Sequence, residues 1–385
     1  MLRFLDAGES HGLGIVTIIE GLPAGLMLGK GDIEHELSRR RLGYGRGSRM
    51  QLEKDEAEIL SGVRLGLSLG SPIAVLVRNA ESEKWRERMR PEGTRDVPDA
   101  TSPRPGHADL AGAVKYGTRD LRDIIERSSA RATVGRVITG ACAKSFLIKL
   151  GISIFSHVLS IGSVRVKERE KPPGLDELAF GDNDPVRCLD SDASLKMIEA
   201  IDRSRASGDS VGGTFEIIAF GLPIGLGSHV QWDRRLDGNL AASVMSIQAI
   251  KGVEIGDGFK LAELRGSKAA DVIHHKGDKG FYRLSNHAGG LEGGITNGEP
   301  LIIRAAMKPI PTISSPPDTI DILSKQKVPA TVERADTCAV PAAAVVSESA
   351  VAFELAKAIL EKLGGDSMVE IKSRFEVMVS EQIAF

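Results

Sequence analysis

Residues 8–26 read GESHGLGIVTIIEGLPAGL, and residues 208–226 read GDSVGGTFEIIAFGLPIGL. Both open on a G-x-S-x-G turn, pass through a run of branched residues and close on G-L-P-x-G-L in the same register. Self-similarity of this kind marks a repeated structural unit. Two more pairs follow in the same order. GVRLGLSLGSPI (62–73) shares its glycine and proline punctuation with GLEGGITNGEPL (290–301), and ERSSARA (126–132) parallels ERADTCA (333–339). The chain therefore reads as one unit built from two related halves, about 1–150 and 205–365, packed about a pseudo-twofold axis. A connecting segment, about 151–204, joins them, and its polar, Pro- and Gly-rich stretch 166–185 is expected outside the core.

Within each half, GIVTIIEG and GTFEIIAFG have the content of strands ended by glycine and proline, as do SPIAVLVRN and EPLIIRAAM. GDIEHELSRRR predicts a helix with an aspartate at its cap, and 133–150 and 340–363 predict helices. Hairpins and long helices without strict βαβ alternation imply an α+β sandwich with antiparallel sheets. The polar stretches 79–105 and 265–290 are expected to be long loops of the functional-lid or disordered kind.

Composition excludes several classes. A net charge of −2 and a sequence pI near 6.5 argue against a nucleic-acid-binding chain. Three widely spaced cysteines (Cys142, Cys188, Cys338) read as free thiols of a reducing compartment, without metal-ligand spacing. No apolar run is long enough to span a bilayer, and MLRFLDAGES lacks a signal-peptide core, so a cytoplasmic chain is expected.

The places where the halves differ carry the chemistry. GESHG fits a nucleophile elbow at Ser10, but only nine residues precede it and GDSVG repeats the pattern, so both serines are expected to satisfy backbone groups. His11 stands where the second copy has Val211, which singles it out as functional; a surface histidine that drifted in one copy is the competing explanation. The stretch SRRRLGYGRGSR holds Arg39, Arg40, Arg41, Arg46 and Arg49, suited to gripping phosphate or carboxylate, or simply to a solvated basic loop. His107 follows a Pro-Gly turn beside Asp109 and near Arg104, where it can serve as a general acid or base. His274 and His275 point apart on any regular element, so no metal site is expected. Lys308 and Thr312 flank a stiff Pro-x-Pro turn. Arg127 and Arg334 occupy equivalent positions, expected to face each other across the axis. Ser129 stands where Asp336 stands, and a carboxylate in an arginine-lined cleft suits proton handling.

Together AGESHG, EGLPAGL, RRRLGYGRGSRM, RPGHADL, ERSSARAT, QWDRRLD, GGLEGGITNG, MKPIPT and ERADTCAVPAA closely resemble the chorismate synthase family across nearly the whole chain. The resemblance implies a β-α-β sandwich, a homotetramer and anti-1,4-elimination of phosphate from 5-enolpyruvylshikimate 3-phosphate, with reduced FMN required although no net redox occurs. His11 would protonate the departing phosphate, His107 would protonate or stabilise the reduced flavin, and Asp336 would help remove the substrate proton. Arg40, Arg46 and Arg131 would bind the substrate's phosphate and carboxylates, or NADP. FMN would be held by Arg127, Ser128, Ser129, Gln248, Ala249, Gly293, Lys308, Pro309, Ile310, Pro311, Thr312 and Arg334.

The chain departs from the family at His287, where asparagine is common, and Cys338 lies two residues after Asp336; neither is expected to abolish activity. With no additional reductase domain legible, an external flavin reductant is expected. The alternatives are a serine hydrolase acting through Ser10, which a serine-reactive phosphonate would label, and a non-catalytic polyanion binder, indifferent to loss of His11.

Overall fold

The computed structural model describes residues 1–47, 52–94, 97–169, 171–277 and 280–385, so Arg49 lies outside the described residues. The GESHG loop joins β1 (Arg3–Ala7) to β2 (Gly14–Glu20). Then come α1 (Lys30–Arg41), β3 (Ala57–Ser61), a tight hairpin of β4 (Val63–Arg64) and β5 (Leu67–Ser68), β6 (Ile73–Arg78), α2 (Arg122–Ser128) and α3 (Thr133–Ile148). Onward run β7 (Ser153–Ile161), β8 (Val164–Arg165), β9 (Gly213–Phe220), α4 (Leu236–Met245), β10 (Ile250–Ile255), the hairpin β11 (Leu291–Glu292) and β12 (Ile295–Thr296), β13 (Leu301–Met307), α5 (Val340–Leu363) and α6 (Met368–Ala384).

One sheet runs β1-β2-β6-β3 and the other β7-β9-β13-β10, with β8 added at the β7 edge. All these pairings are antiparallel. Helices α3 and α1 pack on the first sheet, α5 and α4 on the second, and α3 packs against α5, so helices fill the space between the sheets. This is an α+β sandwich, as the pattern of elements implies. Gly140 of α3 lets the inner helices meet closely, because a Cβ there would lie 2.1 Å from that of Ser349 on α5.

The paired turns share their hydrogen bonds. Ser68 of β5 donates its hydroxyl to Pro23 O and accepts from Leu26 N; Thr296 of β12 does the same with Pro223 O and Leu226 N, within 0.1 Å at each bond. The glycines at 62, 66 and 70, like those at 290, 294 and 298, all have φ between 78° and 90°, a left-handed conformation that a side chain disfavours.

Two boundaries differ from expectation. Residues 153–161, expected in the connecting segment, form β7 and pair with β9 as β1 pairs with β2. A β1-like strand was hidden because pairing position, not residue identity, is what the two strands share. Segments 175–180 and 191–206, also in the expected connector, form helices packed on β7. They cover the β7 edge of the second sheet, whose strand β9 is buried over Phe215–Ala219, whereas the first sheet leaves Leu5 and Ile18 on its outer face 71% and 43% exposed. Asp32 is not the cap residue of α1 but lies in its first turn, accepting from Gly29 N at 2.7 Å.

The expected long loops also carry structure: 79–105 includes a one-turn helix, Ser82–Trp85, and 265–290 a hairpin, Ile273–Lys276 with Gly280–Arg283.

A charged network crosses the helical layer. Glu348 of α5, fully buried, accepts from Arg39 (2.7 and 3.0 Å), Lys144 (2.5 Å), Ser156 (2.5 Å) and Arg187 (3.2 Å). Burial alone would raise its pKa; the three cations reverse this and hold the carboxyl well below the usual range. Arg39 thus serves the core, not a ligand.

Candidate active site

A cavity of about 460 Å³, the size of a small-molecule site, opens where the N-terminal ends of α3 and α5 meet. Thr133, Ala339, Ala342, Ala343 and Val346 line its floor. Two helices of 16 and 24 residues thereby present their positive dipole ends to it. Among the described residues, Arg40, Arg46, Arg104, Arg131, Lys308 and Arg334 line the wall against only Glu333 and Asp336, so a chain of slightly negative net charge concentrates cations here.

His11 is buried in the wall. Its Nδ1 meets Glu126 Oε1 at 2.9 Å, and its backbone N–H donates to Glu126 Oε2 at 2.7 Å. The indole of Trp85 stacks on the imidazole with centroids 4.0 Å apart. Ser10, also in the wall, sits in a strand-to-strand loop, without the strand-to-helix turn that a nucleophile elbow needs. Ser210 donates to Ile310 O at 2.6 Å, the backbone role expected of it.

His107 is held to Asp109 by a 2.5 Å contact through Nδ1. Arg104 donates to both oxygens of Asp109 (2.8 and 3.0 Å) and to Thr312 Oγ1 (3.0 Å). Burial would raise the Asp109 pKa, but bonds from His107 and Arg104 hold it well below the ordinary range. Lys308 Nζ donates to Gly106 O at 2.5 Å, tying the two turns of the wall together.

Arg40 and Arg131 converge on Asp55, a fully buried carboxylate whose backbone has φ 52°, rare for a residue with a side chain. Burial pushes the Arg40 pKa down to about 10; Asp55 opposes this, and the neighbouring Arg131 and Arg46 add to it. Arg46 pairs with Asp336 at 2.6 Å, and Gly47 N donates to the other Asp336 oxygen at 2.7 Å. Among the described residues, Arg46 Nε is buried without a hydrogen-bond partner, an unmet donor at the cavity.

Ser128, Ser129, Gln248, Ala249, Ile310, Pro311 and Thr312 also line the cavity. Ala249 does so with φ 67°, a strained conformation of the kind that collects at functional sites. Arg127, Pro309 and Gly293 do not line it. Arg127 turns to Asp6 and to Gly8 O, while Arg334 pairs with Glu81, so these two arginines do not face each other. Gly293 sits in the turn between β11 and β12. His287 is bound to Asp257 (2.6 Å) away from the cavity wall, and Cys338 is buried behind Asp336. Sequence reasoning passed over Glu126, Trp85 and Asp55. Glu126 is legible as half of the repeated Glu-Arg pair; nothing in the pattern around Trp85 or Asp55 marks either.

Fold and cavity together define an α+β sandwich with an arginine-lined small-molecule cavity beside two histidines and a carboxylate. Comparison with known proteins narrows this. The chorismate synthase family model matches residues 2–360. A curated chorismate synthase of Desulforudis audaxviator is 54% identical over 374 residues, covering 96% of this chain and 95% of that protein; one of Carboxydothermus hydrogenoformans is 52% identical with 98% of each covered. A crystal structure of chorismate synthase, 44% identical, superposes with a TM-score of 0.81 over 100% of this chain and 99% of that one. The chain belongs to the chorismate synthase family and is a lyase.

Proposed function

We propose that this chain eliminates phosphate from 5-enolpyruvylshikimate 3-phosphate to give chorismate, the last common step toward the aromatic amino acids. The C–O bond to phosphate breaks, a ring proton leaves, and a new C=C bond forms, so atoms and electrons balance without net oxidation. The observation that carries the reading is the unequal charge set of the cavity. His11 faces it where the related copy has Val211, and Asp336 where it has Ser129.

Arg40, Arg46 and Arg131 would grip the phosphate and two carboxylates, since guanidinium stays charged while it binds. His11 would hand a proton to the departing phosphate. Asp336, oriented by Arg46 and Gly47 N, would help take up the ring proton. His107, fixed by Asp109, would supply a proton or a positive charge to reduced FMN.

The residues present fit reduced FMN. Ile247, Met307, Ile310 and Val346 offer an apolar wall for a planar ring beside the cations, and Arg46 Nε is an unmet donor. Ser128, Ser129, Gln248, Ala249, the turn Lys308 to Thr312, and Arg334 would hold it; Arg127, Pro309 and Gly293 belong to this set on resemblance alone. When bound, reduced FMN supplies an electron-rich partner for the developing charge. An external reductant, rather than NADPH bound on this chain, would keep it reduced.

The duplicated scaffold is part of the same reading, supported by the matching strand orders. A cytoplasmic homotetramer is supported by three buried free thiols and the bare apolar face around Leu5 and Ile18. Mass photometry tests the assembly. Anaerobic turnover with photoreduced FMN tests the chemistry: His11→Ala, His107→Ala and Asp336→Ala should each lose most phosphate release, and unchanged release in all three would refute the mechanism.

A further inference from the structure

We infer that Glu126 and Trp85 are positioning residues for His11. Neither lines the cavity; both reach the imidazole from behind. The inference deepens the proposed function and rests on its assignment of His11.

The Glu126 carboxylate spans two donors of one residue, the His11 ring nitrogen at 2.9 Å and the backbone N–H at 2.7 Å, while Glu126 O accepts from Ser10 N at 3.0 Å. Three bonds therefore dock the turn carrying His11 onto the end of α2. A carboxylate at Nδ1 selects the tautomer with its proton on Nδ1, making Nε2 the nitrogen that exchanges a proton with a ligand in the cavity. Glu126 remains ionised: burial would raise its pKa, but bonds to His11 and the charge of Arg122 lower it.

Trp85 fixes the remaining freedom. A stacked indole 4.0 Å away and inclined 27° stops the ring turning about its Cβ–Cγ bond and keeps water from that face. Trp85 is itself held by Arg122, 5.0 Å from its ring and bonded to both Glu126 (3.3 Å) and Glu333 (2.7 Å). Val211 needs neither partner, and the position matching Glu126 in the related segment, Glu333, binds Arg122 instead.

A double-mutant cycle tests this. Glu126→Gln keeps the size of the side chain but replaces one acceptor oxygen with an amide donor. It should lower kcat at least about tenfold, the scale of losing such a partner, with KM changed less than about threefold. In a His11→Asn background, the same change should cost less than about twofold. An equal cost in both backgrounds would show a general structural role and overturn the inference. So would wild-type turnover by Glu126→Gln beside a crippled His11→Asn. Wild-type turnover by His11→Asn itself would refute the His11 assignment instead, and with it the proposed function.

Fluorescence gives a readout independent of turnover. In flavin-free Trp232→Phe protein, which leaves Trp85 as the reporter, His11→Ala should brighten emission by removing a stacked quencher, and Glu126→Gln should change it in the same direction. Emission unmoved by either substitution refutes the cage. Trp85→Phe should retain more than half of the activity that Trp85→Ala loses, because a ring still stacks; equal loss in both would remove Trp85 from the proposal.

Discussion

Replacing Glu348 by glutamine removes one negative charge and leaves its surroundings nearly isosteric. Among the described residues, Arg39, Lys144 and Arg187, all with side chains at most 15% exposed, would then share only Glu36 and Asp182. Breaking a buried ion pair by neutralising one partner costs about 3–5 kcal/mol, because the other charge stays desolvated. With an unfolding entropy of roughly 2.1 cal/mol/K per residue, a chain of 385 residues should lose about 4–6 °C in Tm. The assay is a thermal melt by circular dichroism at pH 7, repeated in 0.5 M salt and in acid. Added salt should leave the gap nearly unchanged, since the pair is buried. The pH sign follows from the depressed folded-state pKa: the contribution is fully present above the ordinary glutamate range, near 4.5, and is lost as pH falls below it. Wild type and variant should therefore converge in acid. A Tm within 1 °C of wild type at pH 7, or a gap that widens below pH 4, would refute the reasoning.

Asp55→Asn should destabilise the free protein by about 3 kcal/mol or more. It should also make inorganic phosphate a stronger stabiliser than it is for wild type, because Arg40 and Arg131 lose their shared counter-charge; an equal rise in Tm with phosphate in both proteins would contradict this. Burial pushes the thiols of Cys142 and Cys338 up to about 12 and that of Cys188 up to about 11, so none should react with a thiol reagent at pH 8 until denaturant is added. Stoichiometric labelling of the native protein would count against that. His287→Asn should keep more than about a tenth of the activity, since His287 engages Asp257 and not the cavity wall; a larger loss, above some 1.4 kcal/mol in barrier, would bring it into the mechanism.

What the sequence discloses depends on how local the determining physics is. β2, β6, β9, β13 and α5 are legible because glycine punctuation and side-chain periodicity are properties of a few consecutive residues. β7 is not, since its likeness to β1 lies in which strand it pairs with. The arginine-rich stretch names the right residue type but cannot sort it. Arg39 and Arg40 are neighbours on α1, and the turn of roughly 100° between successive helical residues sends one into the Glu348 network and the other to the cavity. The copy comparison isolates His11 and Asp336 because it detects difference. For the same reason it is blind to Glu126, which matches a glutamate in the other half, and to Asp55, whose partners come from distant segments.

The carboxylates behind the wall explain how six cations among the described residues can line one cavity. Left alone, guanidinium groups gathered in a half-buried space would repel one another and turn toward solvent. Here Asp55 holds Arg40 and Arg131, Asp336 holds Arg46, Asp109 holds Arg104, Glu81 holds Arg334, and a carbonyl holds Lys308. Each arginine thus carries a nearby negative charge, which lowers the cost of assembling the site before any anion arrives. The same bonds fix which N–H groups remain directed at the cavity. The phosphate of the proposed substrate would then meet oriented donors rather than mobile ones, so little side-chain entropy would be lost on binding. The exception within this scheme is Asp336, which lines the cavity while also restraining Arg46. A carboxylate that both orients a cation and faces the ligand can accept a proton only by weakening its own hold on Arg46. In the proposed mechanism, proton uptake by Asp336 and anion grip by Arg46 would therefore be coupled through their 2.6 Å bond.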